Sequence, residues 1–122
     1  MTATAMVLFA HGARDPRWAA PFQRLQELTQ ASMPEVTVKL AFLELMKPSL
    51  PELVEELLGQ AHTSITLVPI FLGQGGHVLR DLPAMANQLR ASHPTLSLTV
   101  VDAVGEQPSV LAAIRDYCIS SL

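Results

Sequence analysis

Met6-Val7-Leu8-Phe9-Ala10-His11-Gly12-Ala13-Arg14-Asp15-Pro16 is the stretch that decides the fold. Met6–Ala10 is apolar throughout, with no alternation, which reads as a strand buried on both faces. The turn His11–Arg14 ends it. Asp15 then offers a side-chain cap, and Pro16 suits a first helical position because its missing N–H has no intrahelical partner there. Trp18, Phe22, Leu25 and Leu28 recur at helical spacing, so the unit is strand, turn, helix. Met33-Pro34 closes the helix.

The same unit recurs along the rest of the chain. The second run is Val36–Leu43. Ser49-Leu50-Pro51-Glu52 follows as a capping box, and Leu50, Leu53, Val54, Leu57 and Leu58 form one apolar stripe, with Gly59 as the expected stop. The third run is Ile65–Leu72, and the turn Gly73-Gln74-Gly75-Gly76 leads from it to a loop position for His77. Leu82, Met85 and Leu89 mark the next helix, with Asp81 and Pro83 near its start. Leu96–Val101 is the fourth run, then Gly105, then a last stripe of Val110, Leu111, Ile114 and Tyr117. The Leu and Met stripes read as core.

Strands alternating with helices imply a parallel sheet with right-handed crossovers. Met6–Ala10 and Ile65–Leu72 are continuously apolar and belong at the centre. Thr37 and Lys39 in the second run, and Ser97 and Thr99 in the fourth, mark edges. The expected fold is one domain, residues 1–122: three layers, α/β, a four-stranded parallel sheet of order 2-1-3-4 with helices on both faces, flavodoxin-like.

Composition narrows the function classes. At 122 residues, with 49% hydrophobic and 16% charged residues, the chain is a packed globular domain. A net charge of −3 and no run of Lys or Arg give no basic field for nucleic acid, so no nucleic-acid partner is expected. Ile65–Leu72 is too short for a membrane span and contains Pro69, so no membrane partner is expected either. Met1–Ala5 carries no basic residue and Met6–Ala10 is short for a leader core. The lone Cys118 cannot form an internal disulfide. Together these point to a cytoplasmic location.

In the order 2-1-3-4 the chain reverses direction between strands 1 and 3, and open α/β sheets bind ligands at that point, beyond the carboxyl ends. His11 follows strand 1 and His77 follows strand 3. Adjacent strands lie about 4.8 Å apart, so both imidazoles reach one site. Glu44, after strand 2, faces the same rim. Either histidine alone reads as a hydrogen-bonded loop residue; two beside a carboxylate read as a site. Such donors suit borderline divalent metals. No four-ligand cysteine-rich set is present in the sequence, so the site suits transient metal holding or proton abstraction. His62 and His93 fall at the opposite end of the sheet and read as ordinary turn residues. Arg14, Arg80 and Lys47 lie on the ligand side. Each is an ordinary solvated charge or a partner for a substrate carboxylate. Asp15, Asp81 and Ser49 read as helix caps.

Val7–Pro16, Phe42-Leu43-Glu44 with Pro48-Ser49-Leu50, and Val68–Leu72 with Gly76-His77-Val78 and Asp81-Leu82-Pro83 resemble, in order, three blocks of the CbiX sirohydrochlorin chelatases. The resemblance covers nearly the whole chain. It implies a chelatase-like fold in its short, single-domain form, pairing into homodimers. It implies that His11 and His77 are the metal-handling and catalytic histidines, with Glu44 a further metal ligand or base. The implied reaction inserts cobalt, iron or nickel into sirohydrochlorin, an acidic tetrapyrrole, without ATP. The metal is a substrate, cobalt foremost, which places the chain in cobalamin synthesis; no permanently bound cofactor is implied. Arg14 and Arg80 would then orient substrate carboxylates. Ala13 stands where the family often has Ser, so a hydroxyl near the site is missing.

Other readings fit less well. Relatives of phosphoglycerate mutase carry Arg before the His-Gly pair, and here Ala10 stands there. An FMN carrier needs a hydroxyl- and glycine-rich phosphate loop after strand 1, which His11–Pro16 does not supply. A receiver domain needs an acidic pair after strand 1 and an Asp ending strand 3, and neither is present. A metal or tetrapyrrole carrier without turnover remains the alternative to an enzyme.

Overall fold

The computed structural model describes residues 3–73 and 76–122, with side chains for 4–73 and 81–122. In chain order the elements are β1 (Ala3–Ala10), α1 (Ala20–Ser32), β2 (Thr37–Phe42), α2 (Leu50–Gly59), β3 (His62–Pro69), α3 (Gly76–Ser92), β4 (Ser97–Val100) and α4 (Pro108–Ser120). The strands form one parallel sheet of order β2-β1-β3-β4, as expected.

β1 is central because it has apolar groups for both faces. Ala5, Val7 and Phe9 join Ile65, Leu67 and Leu98 under the leucines of α2 and α3. Ala10 packs on the other face with Phe42, Ala19, Trp18 and Phe22. Each large side chain fully removed from water here, such as Phe9, Leu53 or Leu57, contributes about 1.5–3 kcal/mol. On the outer edge, α1 supplies glutamines for the free backbone groups of β2. Gln26 Nε2 donates to the Val38 carbonyl at 2.7 Å, Gln30 Nε2 donates to the Val36 carbonyl at 2.6 Å, and the Val38 N–H donates to Gln30 Oε1 at 2.9 Å. The edge is thereby occupied, which blocks pairing with a foreign strand.

Several boundaries differ from the sequence reading. β3 begins at His62 and stops at Pro69, earlier than Ile65–Leu72. Pairing with β1 draws its polar start into the ladder, and Pro69, without an N–H, offers no donor on the β4 side, while the Ile70 N–H makes a last bond to the Phe9 carbonyl at 2.8 Å. His62 therefore opens β3 at the far end of the sheet, its Nε2 2.9 Å from Thr37 Oγ1. α3 starts at Gly76, so the backbone of His77 lies in its first turn and not in a loop, and Pro83 sits inside the helix. Asp81 and Pro83 looked like a start signal, yet an exposed Pro83 costs the helix one backbone bond and is tolerated there. α2 runs through Gly59, and the left-handed residue after it is Ala61, with φ +67°.

Two caps read from sequence are present. Asp15 accepts from the Arg17 N–H at 2.9 Å and caps a short 3-10 turn, Pro16–Ala19, that precedes α1. Its side-chain bonds to Arg17, and then the backbone bond, hold the Asp15 carboxyl below the usual carboxylate range. Ser49 and Glu52 form a reciprocal capping box on α2. The bond from the Ser49 N–H, more than the one involving its hydroxyl, lowers the Glu52 carboxyl. A carboxyl lowered on folding adds stability above its unfolded value, lost as pH falls through the folded value. The capping contribution of both residues is therefore lost on acidification below the ordinary carboxylate range. Ser49→Ala is expected to lower stability by about 1 kcal/mol, read as a drop in melting temperature of roughly 4 °C.

The last stripe departs most from expectation. None of the residues of α4 is buried. Leu111, Ile114 and Tyr117 are exposed, and so are Leu25 and Leu28 of α1. The stripe has the expected helical spacing, but it does not become core. No helix among the described residues is long and apolar enough to cross a membrane.

Candidate functional site

The carboxyl ends of β1 and β2 are laced together by backbone. The Leu43 N–H donates to the Ala10 carbonyl at 2.9 Å, and the Glu44 N–H donates to the His11 carbonyl at 3.1 Å. Gly12 makes this possible. It is buried, its φ is +98°, and a Cβ placed there would stand 1.8 Å from the Glu44 carbonyl oxygen. Only glycine permits both the conformation and the approach. The excursion after β2 is then short and closed. Leu45 takes φ +65°, the Lys47–Pro48 peptide bond is cis, and the Phe42 N–H donates to the Pro48 carbonyl at 2.9 Å.

These loops set His11 and Glu44 face to face. His11 Nε2 lies 3.1 Å from Glu44 Oε1, and their side chains are 49% and 55% exposed. The pair is thus open to a ligand while held in register by the backbone beneath it. Phe71, just past β3, presents its ring edge-on to His11, with centroids 6.4 Å apart, and packs in turn on Phe9 at 6.0 Å. Sequence reasoning did not single out Phe71; its place at the rim after a central strand was the available signal.

The spacing has chemical meaning. Metal–nitrogen and metal–oxygen bonds of about 2.1 Å, at angles between about 90° and 110°, separate neighbouring donor atoms by about 2.9–3.4 Å. His11 Nε2 and Glu44 Oε1 already stand at such a separation. Among the described residues there is no group of three or more His, Cys, Asp or Glu side chains able to hold a metal. The backbone of His77 lies in the first turn of α3, beyond the carboxyl end of β3. Its side chain, and that of Arg80, lie outside the described residues.

Arg14 and Lys47 line a shallow cavity of about 290 Å³ with Ala13, Pro16, Phe42 and Met46. That volume is at the lower limit for a small-molecule site. It suits one arm of a larger ligand, not a whole macrocycle. Ala13 is half-buried beside it and brings no hydrogen-bonding group. His93 follows α3, and its N–H donates to the Leu89 carbonyl at 3.0 Å. It takes no part in the site, and neither does His62.

Fold and site together define a short parallel α/β domain with an imidazole–carboxylate pair at its topological switch point. The chain matches the family described as CbiX over residues 5–120, and it belongs to that family. A sirohydrochlorin cobaltochelatase of Methanopyrus kandleri is 33% identical over 81 residues, covering 66% of this chain and 57% of that protein. The chain thus spans little more than half of that relative's length. A crystal structure described as a candidate cobalamin (vitamin B12) biosynthesis CbiX protein from Marinobacter aquaeolei is 35% identical, with a TM-score of 0.86, covering 97% of this chain and 96% of that one. The sirohydrochlorin chelatase SirB of Bacillus subtilis subspecies spizizenii, in complex with cobalt, shares the fold at 22% identity and a TM-score of 0.82, with 98% of this chain on 51% of that one.

Proposed function

We propose that the chain inserts a divalent metal ion, cobalt foremost, into a sirohydrochlorin-type tetrapyrrole without ATP, as a step of cobalamin synthesis. The observation that carries this reading is the His11–Glu44 pair, open to solvent at the switch point with its donor atoms 3.1 Å apart. Membership of the CbiX family and the relatives' described activities support it.

In the reaction one M²⁺ replaces two pyrrole N–H protons, so the site has to hold the ion and accept protons. Imidazole and carboxylate suit both tasks. His11 and Glu44 hold the ion from one rim, and His77 completes the set from the start of α3. As the ion leaves for the ring, one of these freed groups takes up a pyrrole proton, and the second proton passes to solvent water at the open rim. Arg14, with Lys47 near it, receives a carboxylate arm of the substrate in the cavity beside the pair. Arg80 receives another. The protein works as a homodimer, because one shallow rim leaves a macrocycle open on one side and a second subunit supplies the opposing wall. The solitary, exposed Cys118 fits a cytoplasmic, reducing setting.

The test is to mix the protein, well below stoichiometry, with sirohydrochlorin and Co²⁺ and follow the absorbance of the metallated ring. Many product molecules per subunit support the chelatase. One equivalent bound and retained overturns turnover and leaves a carrier. Parallel runs with Fe²⁺ and Ni²⁺ under anaerobic conditions should be slower than with Co²⁺; faster iron or nickel insertion moves the protein to siroheme or F430 synthesis. Arg14→Ala is expected to raise KM for sirohydrochlorin about 10-fold, the loss of one charged hydrogen bond, while kcat stays within about two-fold. A change confined to kcat would remove Arg14 from substrate binding.

A further inference from the structure

His11 needs more than one support. Its side chain is half exposed, and among the described residues its one hydrogen-bonding partner is Glu44, at 3.1 Å. That bond holds the imidazole only until an ion enters between Nε2 and Oε1. Phe71 stands on another side of the ring, with centroids 6.4 Å apart and planes at 80°. It carries no heteroatom, so its contact does not compete with an ion for the imidazole nitrogen. An edge-to-face pair of this kind is worth about 2- to 10-fold in an equilibrium constant.

Phe71 is itself anchored on several sides. Its ring packs at 6.0 Å on Phe9, which is fully buried. The residue before it, Ile70, is bonded to the Phe9 carbonyl. From the far side, the Gly105 N–H donates to the Phe71 carbonyl at 3.0 Å. Gly105 lies in a 3-10 turn, Val104–Glu106, that follows β4. The turn closes on the buried Ala103, whose carbonyl accepts from the Glu106 N–H at 3.0 Å. A Cβ on Gly105 would stand 2.2 Å from the Leu72 carbonyl oxygen and 2.7 Å from the Leu72 Cα. The backbone of Gly105 is not left-handed, so glycine answers a need for space alone. The turn after β4 is thus pressed on the loop after β3, as Gly12 is pressed on the loop after β2.

His11 therefore stands between two loops, each set by a glycine in contact with a neighbouring carbonyl. One loop carries Glu44, a donor for the ion; the other carries Phe71, which has no donor to offer. We propose that Phe71 is a positioning residue that keeps the His11 imidazole at ligand spacing from Glu44, and that the turn Val104–Glu106 holds Phe71 in place through Gly105. This rests on the reading of His11 as a metal donor and names what steadies it. Without the support the imidazole is turned away from the ion for part of the time. Ion affinity and rate then both fall, because small misplacements of a reacting group are costly. Affinity for the tetrapyrrole does not fall, because Phe71 is not among the groups that receive its carboxylates.

The experiment compares the parent with F71L, G105A and H11A, each shown to be folded by circular dichroism. It measures Co²⁺ affinity without tetrapyrrole, the NMR signals of the His11 ring in the metal-free protein, and steady-state cobalt insertion into sirohydrochlorin. Leucine keeps an apolar contact with Phe9 and removes the ring, so a role as mere filler would survive in F71L. G105A keeps the ring, so a changed His11 signal there reports its displacement. F71L and G105A are expected to bind Co²⁺ about 5-fold more weakly than the parent. Their kcat should fall about 10-fold, with KM for sirohydrochlorin within about two-fold. The His11 signals should move in G105A. Parental Co²⁺ affinity in F71L overturns Phe71 as a positioning residue. A loss in F71L that appears in KM and not in kcat makes Phe71 a substrate contact and overturns it too. A folded G105A with parental His11 signals overturns the turn as the support. A parent that binds Co²⁺ no better than H11A overturns the metal-holding reading of His11 and this inference with it. Should G105A not fold, F71L decides for both parts, since the turn acts on His11 only through Phe71.

Discussion

Replacing His11 with alanine should slow cobalt insertion into sirohydrochlorin by at least about 100-fold, the usual scale for a positioned proton acceptor, with little change in melting temperature. Stability should barely move because the His11 side chain is half exposed and its interactions with Glu44 and Phe71 lie at the rim of the domain. Surface changes of this kind cost within about 0.5 kcal/mol. Rate should fall because the removed ring supplies one of two donors standing at ligand spacing. Steady-state insertion measured beside a thermal melt separates the two effects. An insertion rate within a few-fold of the parent would take His11 out of the reaction.

Gly12→Ala should do the reverse and fail first in stability. A left-handed backbone costs a side-chain-bearing residue about 1–3 kcal/mol. The new Cβ would also meet the Glu44 carbonyl oxygen at 1.8 Å, so the two loops must separate. A total loss of about 3 kcal/mol or more follows, read as a drop of roughly 10 °C or more in melting temperature. Because the same carbonyl belongs to Glu44, its carboxylate moves away from His11 and insertion slows even in the fraction that remains folded. A variant that melts with the parent would show that this close approach is not what holds the pair.

The strand order was legible because burial leaves a compositional mark. The uninterrupted apolar run Met6–Ala10 could sit only at the centre, while Thr37, Lys39, Ser97 and Thr99 placed their strands at the edges. The His11–Glu44 meeting was legible for the same reason, since residues just past neighbouring parallel strands share a rim. Features that depend on the exact path of a loop were not. Nothing in the local pattern distinguishes a permissive Gly12 from one pressed against another backbone, or announces Phe71 as the neighbour of His11. The start of α3 was misread because Asp81 and Pro83 imitate a helix start inside a longer helix. The α4 stripe has helical spacing, but periodicity alone does not say whether a face is buried, and no residue of α4 is.

The central claim is that His11 and His77 act on one ion. The direct measurement is the insertion rate for His11→Ala, His77→Ala and the double variant, each confirmed as folded. Residues that work as one unit lose their function together. The expected result is a double variant no slower than the worse single one. Losses that multiply, or a single variant that keeps the parental rate, would show that the two imidazoles do not share an ion.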